Sequence, residues 1–382
     1  MKKLRLLFVT GSRGEWGYIR PVLRLCRGRR DVECRLCVTN MHLLPSFGQS
    51  VKEIEADGFT VHHRIFMSLD GYNHFTMVKS LGVFLSSFVD VVCTDRPDWI
   101  VLAGDRGEQL IGALVGGFSY IPVAHIQAGE LSGNIDGMTR HAIGKYAHLH
   151  FASNADAAQR LARLGEEAFR IHNVGAPQLD ELVQGMYSSR AEVESKLGVD
   201  LRNGYLMFVQ HPVTEEYDEA PRQIGAAMAA LRRFDQPKLV IMPNSDAGSL
   251  YIREGIEKGR RGEFYTFSNL KREHYLGLLK NAACIVGNSS SGLLEAPTFG
   301  VPAVNLGRRQ GRRLQGSNVI NAEFEEDEIV SAVKRALQPG FRRRLKKKCV
   351  NPYGDGHSSE RILKILRETP VNDTLLTKNL TY

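Results

Sequence analysis

Long apolar runs are scarce in this sequence of 382 residues. No segment has the roughly 18 uninterrupted apolar residues of a membrane span. Residues 1–10 begin like a signal peptide, but Arg5 interrupts the short apolar run and no small-residue cleavage site follows. A buried first strand explains this segment better. We therefore expect a cytoplasmic protein that does not associate with membranes.

Cysteine is also sparse, with six residues scattered through the chain. Only Cys34 and Cys37 form a CxxC pair, and they lie in a segment predicted as a strand. Residues three apart on a strand point to opposite faces, and no second ligand pair accompanies them. The pattern argues against a zinc or redox site and predicts reduced, mostly buried thiols.

The formal net charge of +8 is compatible with a nucleic-acid partner. Much of the excess lies in residues 308–313 and 341–348. The second run has no interleaved aromatic residues and is typical of a solvated helix face. No nucleic-acid-binding motif accompanies these runs, so we expect no such partner.

Two series of apolar, β-rich runs alternate with helical segments. The predicted strands are 4–10, 32–39, 99–104 and 121–126 in the first half, and 205–209, 238–242, 283–287 and 301–306 in the second. Continuous apolar runs separated by helices indicate parallel sheets covered on both faces. The sequence therefore predicts an α/β fold of two Rossmann-like, doubly wound domains, 1–178 and 179–382, facing across a cleft. A final helix near 358–368 could cross back to the first domain, and a ligand would lie at the carboxyl ends of the strands.

The segment 11–17 is predicted as a glycine-rich turn after the first strand, with a helix from about residue 18 to 27. Its glycines are spaced GxxGxxG, and no acidic residue ends the second strand to bind a ribose. This spacing argues against a nicotinamide cofactor. Arg13 within the turn favours a nearby anion.

A second strand-to-helix junction spans residues 285–292, with serines at 289–291. Serines can cap a helix, and the backbone N–H groups there can bind phosphate. Both interpretations stay open, but Glu295, Arg309 and Arg313 follow closely. A carboxylate can accept two ribose hydroxyls while arginines hold a diphosphate, so the group describes a nucleotide-diphosphate pocket. His211 and His42 each end a strand, where a histidine can face a ligand.

Carboxylates cluster after the predicted strands of the first half. Asp105 and Glu108 follow one strand, and Glu130 and Asp136 follow the next. Carboxylates after neighbouring strands can converge on one substrate carbon, which suits general acid–base catalysis. For Asp105 alone, a helix N-cap remains the alternative.

Eight short motifs resemble the hydrolysing UDP-N-acetylglucosamine 2-epimerases, in family order over residues 9 to about 365. They are residues 9–13, 39–43, 104–106, 129–136, 210–214, 243–249, 287–290 and 351–356. The resemblance implies a glycosyltransferase-B-like fold, a UDP-sugar substrate, a homodimer or homotetramer, and a role in making sialic or legionaminic acid precursors. The reaction that the resemblance implies requires no metal or nicotinamide cofactor.

The resemblance also assigns roles to individual positions. The expected nucleotide-binding residues are Arg13, Arg106, His211, Leu270, Ser289, Ser290, Glu295, Arg309 and Arg313. The expected substrate-cleft residues are His42, Asn244 and Asp246. The expected catalytic residues are Asp105, Asp136, Glu130, Gln127 and His211, with Asp105 and Asp136 at the acid/base positions.

The implied reaction is anti elimination of UDP across C1–C2 to a 2-acetamidoglucal, followed by hydration to N-acetylmannosamine. One carboxylate must remove the C2 proton, cations must stabilise the departing diphosphate, and a second carboxylate must manage the water. Gln127 stands where well-studied members carry glutamate, and an amide cannot act as a base. Glu130 supplies the missing carboxylate, or Asp105 and Asp136 suffice, or the substrate is a 2,4-diacetamido-trideoxy sugar on the legionaminic acid route.

Other functions remain open on the same fold. A non-hydrolysing epimerase would return the UDP-sugar, and a glycosyltransferase would need an acceptor. Residues 132–136 match hydrolysing members and lack the proline- and glutamate-rich turn expected of non-hydrolysing ones. Gln127 also leaves open a catalytically silent nucleotide-sugar sensor, although Asp105, Asp136 and Glu130 argue against it.

Overall fold

A computed structural model describes residues 3–45, 48–69, 74–132, 135–202, 204–243, 248–268 and 270–382. The chain forms two compact units. The first contains Met1–Leu131, Ile135–Asp180 and Tyr353–Tyr382, and the second contains Ser132–Asn134 and Glu181–Pro352. The chain therefore returns to the first unit after residue 352.

The strands are short and mostly apolar. They are β1 (Leu4–Thr10), β2 (Val32–Thr39), β3 (His63–Ile65), β4 (Trp99–Ala103), β5 (Val123–Ala128), β6 (Leu149–Ala152), β7 (Ile171–Asn173), β8 (Leu206–Val209), β9 (Lys238–Ile241), β10 (Phe264–Phe267), β11 (Cys284–Gly287), β12 (Ala303–Leu306) and β13 (Val319–Ala322).

Helices connect most of the strands. They are α1 (Arg13–Cys26), α2 (Val51–Ala56), α3 (His74–Thr94), α4 (Gly107–Phe118), α5 (Ile135–Tyr146), α6 (Ala155–Arg163), α7 (Asp180–Val183), α8 (Arg190–Leu197), α9 (Ala220–Leu231), α10 (Ser249–Gly259), α11 (Arg272–Asn281), α12 (Ser291–Leu294), α13 (Ala296–Phe299), α14 (Glu326–Leu337), α15 (Pro339–Lys348), α16 (Ser358–Glu368) and α17 (Asp373–Leu376).

Each unit contains one parallel sheet. The strand order is β3-β2-β1-β4-β5-β6-β7 in the first unit and β10-β9-β8-β11-β12-β13 in the second. In each sheet the strand order reverses once, between β1 and β4 and between β8 and β11, which is the doubly wound topology that binds ligands at such points. The predicted fold class, two Rossmann-like α/β units, is confirmed.

Side chains of each central strand pack on both faces of its sheet. In the first unit Phe8 packs in the same core cluster as Trp16 of α1, while Leu7 packs in the cluster of Phe84 of α3. Successive strand residues point to opposite faces, so a strand covered by helices on both sides must be apolar throughout. This is why the continuous apolar runs identified these strands.

The first helix begins earlier than the sequence predicted. Ser12 is its N-cap, with a capping box in which the side chains of Ser12 and Glu15 bond each other's backbone N–H groups. Gly14 and Gly17 therefore lie inside α1, and the predicted turn over 11–17 was wrong. The reciprocal cap stabilises the start of this helix, whereas the glycines in its first turns led the sequence analysis to predict a turn.

Helix α16, which the sequence predicted as the final helix, has the predicted bounds and belongs to the first unit, and the short α17 follows it. Asp180 binds its first turn, with Oδ1 accepting from the Ser358 amide at 3.0 Å and Oδ2 from the Ser359 amide at 2.7 Å. Arg170 binds the C-terminal segment to the first unit, because its guanidinium donates to the carbonyls of Thr374, Leu375 and Thr377 at 2.7–2.9 Å.

One described helix is long and apolar enough, by length and composition alone, to cross a membrane. It is the segment Phe75–Thr94 of α3, of which 22% is buried. A core helix of a globular protein can have the same length and composition. In α3, the side chains of Phe84, Phe88 and Val92 pack into the core of the first unit, so α3 is part of this fold.

Candidate active site

The segments that follow β4, β5 and β6 bring together three of the predicted catalytic residues, Asp105, Gln127 and Glu130. Asp105 follows β4, and its Oδ2 forms an ion pair with the guanidinium of Arg140 from α5. Arg140 also donates to the Gln127 carbonyl at 2.6 Å. The Arg140 side chain is only 2% exposed. One buried arginine thus joins the segments that follow β4 and β5.

Glu130 is buried three residues beyond Gln127. Its Oε1 accepts hydrogen bonds from the Ser153 hydroxyl at 2.6 Å and from the Asn154 amide. Both partners follow β6, which the sequence did not predict as a strand. These neutral donors orient the carboxylate without adding a positive charge.

Gln127 lies at an irregularity in β5, with a positive φ of 65° and 1% exposure. The pairing of β5 with β6 shifts register between Ile126 and Ala128, and such bulges re-aim side chains beside active sites. The Gln127 amide lies 3.4 Å from both Gln178 Oε1 and Ser153 Oγ. Ser153 contacts both Gln127 and Glu130. Glu130 therefore supplies a carboxylate to the same hydrogen-bonded group as Gln127.

Asp136 lies in the first turn of α5, half-buried. Residues four apart share one face of a helix, so Asp136 and Arg140 lie on the same side of α5. The helix therefore presents a carboxylate one turn from the arginine that binds Asp105.

A second pair of carboxylates, Glu15 and Glu108, lies where β1 and β4 end. Glu15 accepts from the Gly11 and Ser12 amides at 2.5 and 3.0 Å. Burial and the neighbouring Glu108 raise the pKa of Glu15 well above its ordinary value. Arg106, the N-cap residue of α4, lies 3.3 Å from Glu108. The predicted alternative of an Asp105 N-cap is therefore wrong.

Two predicted binding residues of the first unit are engaged in other contacts. His42 is fully buried, and its ring nitrogens lie 3.0 Å from Thr10 Oγ1 and 2.7 Å from Ser50 Oγ. Burial lowers its pKa to about 3, and its place in the substrate cleft stays a prediction. Arg13 is exposed and pairs with Glu53 at 2.9 Å, and its nucleotide contact stays a prediction.

Asn288 connects the predicted nucleotide-binding segments of the second unit. Its side chain accepts from the His211 amide at 2.7 Å and donates to the His211 carbonyl at 2.8 Å. Its carbonyl accepts from Arg309 at 3.0 Å and Gln310 at 3.2 Å. Arg313 in turn lies 3.3 Å from Gln310. The loops after β8, β11 and β12 are therefore held by one buried asparagine that sequence reasoning did not single out.

The predicted strand-to-helix junction at the serines leads into two short helices. After Ser290, α12 ends at Leu294, and α13 begins at Ala296 with Pro297 in its first turn. Ser290 is the N-cap but makes no side-chain cap bond, while the Ser289 hydroxyl accepts from the Ser291 amide at 3.4 Å. A four-residue helix adds little dipole, so phosphate binding here would depend on backbone N–H groups and on the arginines.

Glu295 is tied to an ion-pair network. Arg272 contacts Glu295 and Glu181, each at 2.9 Å. Burial alone would lower the pKa of Arg272, but the two carboxylates outweigh it and raise the pKa. One oxygen of Glu295 is thus engaged, and its contact with ribose stays a prediction. Leu270 packs against the core of the second unit.

Two predicted substrate-cleft residues cannot be placed. Asn244 and Asp246 lie outside the described residues. Among the residues that the structure describes, no group of three or more His, Cys, Asp or Glu side chains could hold a metal ion. Cys34 and Cys37 pack in the core clusters of opposite sheet faces, as predicted for a strand.

Comparison with known proteins decides the family. A family model described as UDP-N-acetylglucosamine 2-epimerase matches residues 24–367, which is most of the chain. The chain belongs to this family. The resemblance seen in the eight sequence motifs is therefore confirmed.

Two relatives match over most of their length. The chain is 36% identical over 379 residues, 99% of each chain, to a UDP-N,N'-diacetylbacillosamine 2-epimerase (hydrolyzing) of Legionella pneumophila. It is 34% identical over 337 residues, 88% of each chain, to a UDP-N-acetylglucosamine 2-epimerase of Neisseria meningitidis.

Solved structures support the same fold. A crystal structure of UDP-GlcNAc 2-epimerase from Neisseria meningitidis bound to UDP-GlcNAc aligns with a TM-score of 0.83 at 17% identity, over 96% of this chain and all of that one. At this identity the likeness shows the fold alone.

Proposed function

We propose that this epimerase-family chain is a hydrolysing 2-epimerase of a UDP-2-acetamido sugar, releasing UDP and the free 2-epimeric sugar. The observation that carries the proposal is the cluster around Arg140, which gathers Asp105 and the segment of Gln127 and Glu130 after adjacent strands. A reaction that removes a C2 proton and later adds water needs more than one carboxylate near one carbon.

Asp105 is the group that we assign to removal of the C2 proton. Its contact with Arg140 holds the carboxylate in place, and a positioned carboxylate can act as a general base. The partner is itself almost completely buried, while the Asp105 side chain is 20% exposed. The carboxylate is therefore held at a fixed position and remains open to solvent on one side.

Glu130 is the carboxylate that we assign in place of the glutamate missing at Gln127. Ser153 contacts both side chains, so the two positions belong to one hydrogen-bonded group. A buried carboxylate that accepts from a hydroxyl and an amide is oriented for proton transfer with water. Asp136 is a further candidate for the same step.

The second unit supplies the nucleotide-binding groups of the proposal. Asn288 holds the His211 backbone and the arginine segment together, and Arg309 and Arg313 carry the positive charge that a departing diphosphate requires. Ser289, Ser290 and Glu295 lie in the adjoining segment. This arrangement supports binding of a nucleoside diphosphate in the second unit.

For the sugar, we propose the 2,4-diacetamido-2,4,6-trideoxyglucose of UDP-N,N'-diacetylbacillosamine. The support is the Legionella relative, which matches at 36% over nearly the full length of both chains. UDP-N-acetylglucosamine is the second candidate, because the Neisseria relative matches at 34%. The resemblance also supports a cytoplasmic homodimer or homotetramer that provides sialic or legionaminic acid precursors.

The decisive experiment incubates the protein with each UDP-sugar in D2O and follows proton and phosphorus NMR signals. We expect UDP and the free 2-epimeric sugar, with deuterium at C2, because elimination removes the C2 proton and hydration adds one from solvent. A returned UDP-sugar epimer would favour the non-hydrolysing reading instead. Binding without turnover of either substrate would favour the silent sensor.

Asp105→Asn tests the assignment of the base. The amide keeps the shape but cannot accept the proton, so we expect UDP release to fall at least about 1,000-fold while UDP affinity stays within threefold. Asp327→Asn, whose side chain is 98% exposed on α14, is the matched control and should keep parental turnover. Near-normal turnover by Asp105→Asn would remove Asp105 from the mechanism.

A further inference from the structure

Helix α5 carries groups of the proposed active site near its beginning. Asp136 lies in its first turn. Arg140, one turn further, contacts Asp105 and the Gln127 carbonyl. Asp136, Arg140 and Gly144 are spaced four residues apart, so they lie within about 80° of one another around the helix. The position of Arg140 therefore depends on where the C-terminal end of α5 is held.

The C-terminal end of α5 presents carbonyl groups that need partners from outside the helix. The His148 amide, which would bond the Gly144 carbonyl if the helix continued, donates instead to the Val123 carbonyl at 2.7 Å. The last carbonyls of a helix lack partners within it, and a cation is favourable beside them because of the helix dipole. A cation lies there, supplied by a residue 234 positions further along the chain.

This cation is the ammonium group of Lys378. It donates to the carbonyls of Gly144 and Ala147, each at 2.7 Å. Its third contact is an ion pair with Glu166 at 2.6 Å. An ammonium has three N–H donors, and these three contacts use all of them. The Lys378 side chain is only 16% exposed, so its geometry is fixed by the protein and not by solvent.

The contacts with α5 distinguish Lys378 from a simple counter-ion of Glu166. Lys145 also pairs with Glu166, at 3.0 Å, and His150 lies 3.0 Å from the same carboxylate. Lys145 donates its other hydrogen bond to the Leu164 carbonyl at 2.5 Å. Glu166 would therefore keep a cation beside it without Lys378, whereas the carbonyls at the end of α5 would lose theirs.

The backbone that leads to Lys378 is itself held in place. Asn372 caps the short helix α17 by accepting from the Leu375 amide. Arg170, which is fully buried, donates to three carbonyls of residues 374–377. Lys378 therefore reaches α5 from a fixed segment, and its ammonium constrains the position of the helix end.

We infer that Lys378 is a positioning residue of the proposed active site, which holds the C-terminal end of α5 so that Arg140 keeps Asp105 in place; this assignment rests on the proposed function. A displacement of about 1 Å at a reacting group can lower turnover about 100-fold. Lys378 acts on the first unit, and the proposed nucleotide-binding groups belong to the second. Its loss should therefore lower kcat and leave KM nearly unchanged.

Lys378→Met tests the inference, because methionine keeps most of the side-chain length and removes the ammonium. Steady-state kinetics with each of the two candidate UDP-sugars should show kcat about tenfold below the parent and KM within threefold of it. Amide hydrogen exchange in α5 should become faster. Lys364→Met, at an exposed position of α16 in the same unit, is the matched control and should keep the parental kcat and exchange.

Two further variants separate positioning from a general loss of stability. Leu366→Ala removes a buried side chain from the core of the first unit, so it should unfold at lower urea concentration but keep the parental kcat. Arg140→Lys alters the group through which Lys378 acts. Adding Lys378→Met to Arg140→Lys should therefore lower kcat less than threefold, instead of tenfold.

Several results would overturn the inference. They are a parental kcat in Lys378→Met, a KM that rises more than kcat falls, unchanged exchange in α5, or an equal tenfold loss in the Arg140→Lys background. Should Lys378→Met fail to fold, Lys378→Arg replaces it: the planar group changes the geometry of the three contacts, so kcat should fall at least threefold, and a parental kcat would overturn the inference.

The same kinetics distinguish this inference from the proposed function. A parent that turns over neither UDP-sugar would overturn the proposed function, and the inference with it. An active parent with an equally active Lys378→Met variant would overturn the inference alone.

Discussion

Replacing Arg140 by methionine would remove the cation that joins Asp105 to the Gln127 segment. Two losses follow: the partly buried Asp105 carboxylate loses its ion pair, and the buried Gln127 carbonyl loses a donor at 2.6 Å. Breaking a buried ion pair by removing one partner costs about 3–5 kcal/mol. Because Asp105 is 20% exposed, we expect the lower end, about 3 kcal/mol of unfolding free energy.

Tryptophan fluorescence during urea unfolding measures this loss. The two tryptophans of the sequence, Trp16 and Trp99, are both buried in the first unit, so their signal reports the unit that contains Arg140. Arg140→Lys keeps the charge but not the two-sided geometry, and it should lose only about 1–2 kcal/mol.

A double variant separates the charge effect from lost packing. Asp105→Asn combined with Arg140→Met removes both charges of this ion pair, so it should be about 2 kcal/mol more stable than the sum of the single losses. A single Arg140→Met loss below 1 kcal/mol, or strictly additive losses, would refute the conclusion that this ion pair holds the segments together.

The remaining predictions concern pH and the second unit. Burial lowers the pKa of four histidines of the first unit to between about 3 and 4: His42, His125, His148 and His150. Because these histidines bind protons more tightly in the unfolded chain, their contribution to the free energy of unfolding is complete above pH 6.5 and is lost as the pH falls towards 4. The loss reaches up to roughly 5 kcal/mol per pH unit for the four together. Free energies of unfolding from urea titrations at pH 5 and 6 that differ by less than 1 kcal/mol would contradict this. Arg272→Met removes the cation that contacts the two buried carboxylates Glu181 and Glu295 and should destabilise the second unit by about 3–5 kcal/mol. The loss should appear as faster amide hydrogen exchange in α11, whereas unchanged exchange would show that the network is not stabilising.

The sequence by itself determined the architecture of the chain. Strands such as β1 and β4 are continuously apolar because helices cover both faces of each sheet, and that pattern is visible in one dimension. Asp105 and Glu130 could be proposed as site residues from the sequence because they are polar residues that follow these continuous apolar strands. Strands β3 and β6 were missed because polar residues, such as His63 and His150, interrupt their short apolar runs.

Only the tertiary structure decided what each polar side chain contacts. His42 and His211 both end strands, yet the hydroxyls of Thr10 and Ser50 surround the His42 ring, and Asn288 holds the His211 backbone. Arg140 reaches Asp105 across 35 positions of sequence. Burial follows from local pattern, but a hydrogen bond depends on where distant segments place single atoms, and no local pattern encodes that position.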